Sequence, residues 1–144
     1  MTKPDAAAEC FKSGFNCSQA IVSTFGPALG LPRDRALKAA AAFGGGMGRM
    51  GKTCGAVTGA FMVIGLKHGM TRADDVEARK KTYKLVGEFV QEFNARNKTI
   101  ECKELLGCDL STDEGLKMAM KKDFHHTVCP KFIKDAAEIL EKLL

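Results

Sequence analysis

Cys54-Gly55-Ala56-Val57-Thr58-Gly59-Ala60-Phe61-Met62-Val63-Ile64-Gly65-Leu66-Lys67-His68 is the stretch that decides the fold. Its apolar residues fall on nearly every face of a helical wheel, so a helix over about Thr53 to His68 has to be surrounded by other elements. Gly55 and Gly59 stand four apart with Ala56 and Ala60 beside them, a flat face that a second helix can approach closely. The nearly apolar part, Ala56 to Leu66, is too short to span a bilayer. It reads as the central helix of a globular domain.

Upstream, Pro4 to Ser13 reads as a helix stopped by Gly14. Asn16, a good N-cap residue, starts a second that carries Ala20, Ile21 and Phe25 and bends or ends at Pro27. Pro32 opens a third through the Ala-rich stretch Leu37 to Phe43. Downstream, Arg72 to about Ala95 reads as a long helix with a one-sided stripe of Val76, Tyr83, Val86, Val90 and Phe93. A short helix starts at Cys102 and breaks at Gly107. Ser111 and Glu114 form a capping-box pattern for a helix through Lys122. Pro130 begins the last helix, with Phe132, Ala136, Ile139, Leu140 and Leu143 on one face. No segment keeps a period of two, and there is no internal repeat or linker. The expectation is an all-α, single compact bundle of about six to seven helices around the small-residue helix, one domain over residues 1–144.

Composition fits that size. The chain has 144 residues, 45% hydrophobic and 27% charged, enough to bury a core without staples. Its net charge of +5 is spread over helix faces, and the densest cluster, Arg79-Lys80-Lys81, lies inside an amphipathic pattern. With no basic recognition motif, this argues against nucleic acid as a partner. Met1-Thr2-Lys3-Pro4-Asp5 lacks the apolar core of a secretory leader, so a cytoplasmic protein with no membrane span is expected. In that compartment six cysteines read as thiols, ligands or redox centres before a structural disulfide framework.

Four of those cysteines fall where helices are expected to begin: Cys17 after Asn16, Cys54 at the head of the central helix, Cys102, and Cys129 directly before Pro130. A helix N-terminus offers free N–H groups and the positive end of the macrodipole, which bias a thiol toward the reactive thiolate. Gly46-Met47-Gly48-Arg49-Met50-Gly51-Lys52-Thr53 satisfies the nucleotide-binding pattern GxxxxGK[ST]. That motif requires a buried strand leading in, and here the lead-in is the helix former Leu37 to Phe43. The stretch reads instead as a tight glycine connection that lets Cys54 approach another segment.

Asn16-Cys17-Ser18-Gln19-Ala20, Gly44 to Gly51 leading into Cys54-Gly55-Ala56-Val57-Thr58-Gly59, Cys102-Lys103-Glu104-Leu105-Leu106-Gly107 and Cys129-Pro130-Lys131-Phe132 together resemble the redox-active protein family named for the pattern C_GCAxxG_C_C. The resemblance spans nearly the whole chain. The family label spells its central motif GCAxxG, whereas this chain reads Cys54-Gly55-Ala56. Carried over residue by residue, the family cysteines would be Cys17, Cys54, Cys102 and Cys129, with Cys10 and Cys108 as extras. The resemblance implies redox activity. A related module occurs fused to multihaem or electron-transfer proteins, where an iron–sulfur centre has been proposed.

Two chemistries fit the same four positions. Intervals of 37, 48 and 27 residues leave convergence to helix packing, and the absence of close CxxC pairs disfavours zinc. Scattered thiolates suit an iron–sulfur cluster or other metal centre held by Cys17, Cys54, Cys102 and Cys129 and serving a redox partner protein. This is the first reading, because disulfide exchange needs only two cysteines. The second is metal-free thiol–disulfide or persulfide exchange, with Cys54 as attacker and Cys17 among its candidate partners. A third is a non-enzymatic interaction module, with the small-residue face or the last helix forming a homodimer. Cys10 reads as a buried small hydrophobe, His125 and His126 as a cationic helix end, and Met47, Met50, Met62, Met118 and Met120 as core filling.

Overall fold

In the computed structural model, which describes residues 1–144, the apolar stretch forms helix α4 (Gly55–His68). Around it stand α1 (Lys3–Lys12), α2 (Cys17–Phe25), α3 (Arg33–Ala40), α5 (Val76–Asn97), α6 (Cys102–Leu106), α7 (Asp113–Lys121), α8 (Phe124–Thr127) and α9 (Cys129–Leu143). No strand forms, and the expected all-α class holds. Seven of these helices have eight residues or more, with α6 and α8 as short additions.

α4 is central as expected: α2, α5 and α9 all pack on it, while α1 lies across α2 and α9 and α3 backs α2. Its small-residue face meets α2. A Cβ on Gly55 would stand 3.0 Å from Cys17 Cβ, and one on Gly59 would stand 3.1 Å from Ile21 Cβ and from the Ser18 carbonyl oxygen. Glycine there is what lets the two backbones touch. The face is thus filled from within the chain, and a homodimer would have to use another surface.

Four expectations are corrected, the first being that Met50, Met118 and Met120 fill the core: they are exposed, 54%, 43% and 73%. The long helix begins at Val76, four residues later than Arg72, because the Asp75 side chain accepts a hydrogen bond from Ala78 N at 3.1 Å and caps it there. Its buried stripe is Leu85, Phe89 and Phe93; Tyr83 and Val76 are exposed, 67% and 49%. A helix of 22 residues is about 33 Å long against about 21 Å for the 14-residue α4, so its first turns overshoot the core and have nothing to bury against. Finally, the cap of α7 is Thr112, whose Oγ1 accepts from Gly115 N at 3.0 Å, while Ser111 donates to Asp109. α9 follows expectation: Phe132, Ala136, Ile139 and Leu140 are buried, and Leu143 packs half-buried against the core.

α5 is fixed to α9 by an aromatic tier and a polar clamp. Phe93 stands between Phe89 and Phe132, with centroids 5.9 and 6.5 Å away. Asp135, only 9% exposed, accepts from Lys131 Nζ at 2.7 Å, Asn97 Nδ2 at 3.1 Å and Arg96 Nη1 at 3.2 Å. A carboxylate with that many donors is compensated for its burial. No helix is long and apolar enough to cross a membrane.

Candidate functional site

All four helix-start expectations hold in position. Cys17 is the first residue of α2, Cys54 the N-cap of α4, Cys102 the first residue of α6 and Cys129 the first of α9. The four line one cavity of about 770 Å³.

Local chemistry explains each placement. α2 starts at Cys17 because Asn16 and Gln19 form a reciprocal capping box: Gln19 N donates to Asn16 Oδ1 at 2.9 Å and Asn16 N to Gln19 Oε1 at 3.0 Å. The same two side chains donate to the Ala41 and Leu37 carbonyls and so anchor the start of α2 to α3. Cys54 and Cys102 are joined by a short antiparallel bridge at Thr53 and Glu101. Cys54 N donates to the Ile100 carbonyl at 2.7 Å and Cys102 N to the Lys52 carbonyl at 2.6 Å. In that register the two cysteines are diagonal neighbours on one face, a spacing of about 7–8 Å. Gly46 completes the contact, since a Cβ there would lie 2.7 Å from Cys102 Cβ. The glycine segment follows a 3-10 turn, Ala41–Phe43, with no sheet below it, so the GxxxxGK[ST] match has none of the context that phosphate binding requires.

The thiols are not equivalent. Cys54 is held below the ordinary thiol range, first by the neighbouring Cys17 thiol and then by the Ala56 and Val57 amides at the start of α4, against an opposing push from burial. No cap hydrogen bond of standard geometry forms there, so the amides act as oriented dipoles. Cys17 is held well above that range, first by the neighbouring Cys129 thiol, then by that of Cys54, then by burial. Burial pushes Cys102 up to about 12, with the charges of Cys54 and Cys129 adding to it. Cys17, Cys54, Cys102 and Cys129 thus share the cavity wall, with Cys54 shifted toward the anion. Cys108 sits off the cavity, pushed up by partial burial and then by Cys129. Cys10 lies elsewhere, its Sγ 3.5 Å from Ser23 Oγ.

No three Cys, His, Asp or Glu side chains stand together in an arrangement that could hold a metal ion. The histidines are engaged otherwise. His125 Nε2 is 3.0 Å from the Phe11 carbonyl oxygen and its ring stacks on Phe11, while His126 Nδ1 is 2.8 Å from Asp123.

One feature of the cavity wall escapes a reading by residue type. Gly45, Gly46, Met47, Gly48 and Arg49 have φ of 65, 71, 65, 59 and 64°, a left-handed turn. Two of the five are not glycine, and each L-residue held this way costs about 1–2 kcal/mol. Arg49 lines the cavity. The dense glycine pattern signals the turn, but nothing local signals where the arginine would point.

No curated protein and no solved structure matches the chain. The sequence model of one family, described as "Putative redox-active protein (C_GCAxxG_C_C)", matches residues 15–143. With its four helix-start cysteines around one cavity, the chain belongs to this C_GCAxxG_C_C redox-active family.

Proposed function

We propose that the protein carries out thiol–disulfide exchange, with Cys54 as attacking thiolate and Cys17 as resolving thiol. The observation that supports this reading is the placing of Cys17, Cys54 and Cys129 at the starts of three helices on the wall of one cavity. Cys54 is the cysteine whose surroundings favour the anion, and the thiolate is the nucleophile in exchange.

The chemistry balances with two protein thiols. Cys54 Sγ attacks one sulfur of a substrate disulfide, forming a mixed disulfide and expelling the other substrate half as thiolate. That thiolate takes the Cys17 proton. Cys54 is now neutral, so one cause of the raised Cys17 value is gone, and Cys17 Sγ attacks Cys54 Sγ. The second substrate half leaves as thiolate and the Cys17–Cys54 disulfide closes. Two electrons pass from protein to substrate, and a dithiol reductant or a redox partner protein with a dithiol site reverses the bond.

A second reading is an iron–sulfur cluster held by Cys17, Cys54, Cys102 and Cys129 for electron transfer. It is favoured by four helix-start sulfurs lining the same cavity, since N–H donors near cluster sulfurs stabilise the thiolate ligands.

One preparation separates the two. Protein purified anaerobically and reduced is treated with hydroxyethyl disulfide, and its peptides are mapped without reduction. Exchange predicts a Cys17–Cys54 linked pair, with one disulfide equivalent consumed per chain. Absence of that pair, with Cys54 unmodified, contradicts it. Iron and acid-labile sulfide in stoichiometric amounts in the untreated protein favour the cluster.

A further inference from the structure

Among the side chains lining the thiol cavity, Arg49 is the one charged group without a partner. It takes part in no ion pair of the chain. The other two charged or titratable groups on the wall besides the cysteines are engaged: Asp123 with His126 at 2.8 Å and His125 with the Phe11 carbonyl. The stem of Arg49 is folded over Gly45, whose Cβ position would lie 2.9 Å from Arg49 Cγ, and its backbone N–H donates to the Gly44 carbonyl at 3.0 Å. Arg49 follows Gly48 in a turn where glycine is the unstrained choice, and it has φ 64°. Strain kept at a cavity wall is an observation that points to use. Most of the remaining wall is apolar, including Leu105, Leu110, Leu116 and Phe124. Phe15 is also on the wall and carries the Arg33 guanidinium 5.4 Å from its ring centroid, which puts a second cation nearby.

We propose that the cavity takes a small organic disulfide with an apolar body and a carboxylate, and that Arg49 is the specificity-determining residue that binds the carboxylate. This rests on the thiol-exchange reading. A volume of about 770 Å³ suits a small molecule. A guanidinium offers a planar fork of donors matched to a carboxylate, which a lysine ammonium lacks. The apolar wall takes the body while the sulfur–sulfur bond reaches Cys54. Attack there forms the Cys54–substrate disulfide and releases the other half as a thiolate.

The test compares two aromatic disulfides: dithiobis(nitrobenzoate), which is anionic, and dithiodipyridine, which is neutral. Initial rates of mixed-disulfide formation at Cys54 are read by mass spectrometry in the full chain. The wild-type protein is expected to favour the anionic reagent, with the rate ratio falling about tenfold in Arg49→Gln and partly restored in Arg49→Lys. Added salt should lower the ratio in the wild type and leave it nearly constant in Arg49→Gln. A ratio unchanged by Arg49→Gln overturns the assignment of Arg49 and of the anionic substrate while leaving thiol exchange intact. If Cys54 in the wild type reacts with neither reagent, the exchange reading fails and this inference falls with it.

Discussion

A Gly55→Val protein is expected to lose about 1–3 kcal/mol of stability and to close the Cys17–Cys54 bond at least about tenfold more slowly, with every thiol still present. A side chain at residue 55 meets Cys17 Cβ and Ser18 N at 3.0 Å and the Phe43 carbonyl oxygen at 3.1 Å. These neighbours belong to two segments, one of them the start of α2, and none is the loose end of a flexible side chain. Extra atoms there must therefore push α2 off α4, which separates the two sulfurs that the exchange reading joins. Disulfides tolerate little of this, since bonding needs Cα atoms within about 7 Å. The stability loss is read from urea unfolding and the bond-forming rate from quenched peptide mapping. Unchanged closure in a destabilised protein would mean that the packing of α2 on α4 does not set the sulfur geometry.

Removing the aromatic tier should cost more. Phe93→Ala is expected to destabilise the protein by about 3–5 kcal/mol, because the ring is fully buried between Phe89 on α5 and Phe132 on α9. At this chain length the melting temperature should drop by roughly 10 °C or more. Tyr83→Ala on the same helix, 67% exposed, is expected to stay within about 0.5 kcal/mol. Thermal unfolding of the two variants measures which stripe of α5 faces the core. Equal losses would restore the stripe through Tyr83.

The contrast between those two residues shows where local pattern stops being informative. The all-apolar run of α4, with Gly55 and Gly59 on one side, could find its place in only one way, because every face needed a partner. The helix starts at Cys17 and Cys129 were marked by an N-cap asparagine and a first-turn proline, both local signals. α5 carries apolar residues on more than one stripe, so its buried face depends on where α4 ends, which is tertiary information. Thr112 and Ser111 are adjacent cap candidates, and the choice fell to the one whose hydroxyl reaches Gly115 N. The bridge that ties Cys54 to Cys102 joins residues 48 positions apart and leaves no periodic trace. Arg49 was legible only as a residue in a glycine segment; its left-handed backbone and its place on the cavity wall come from the packing of that segment against Asn16 and Cys102.

The most direct measurement is the pH dependence of iodoacetamide alkylation at Cys54 in the reduced, metal-free protein, followed peptide by peptide. Cys54 sits below the ordinary thiol value of 9.0 while Cys17 lies well above it and Cys102 reaches about 12. Alkylation at Cys54 should therefore rise to its plateau at lower pH than at a free thiol, and at neutral pH it should outpace Cys17 and Cys102. A Cys17→Ala variant should shift the Cys54 midpoint upward, because the first cause of its lowering is gone. A Cys54 midpoint at or above that of a free thiol, unmoved by Cys17→Ala, would contradict an activated thiolate at the head of α4.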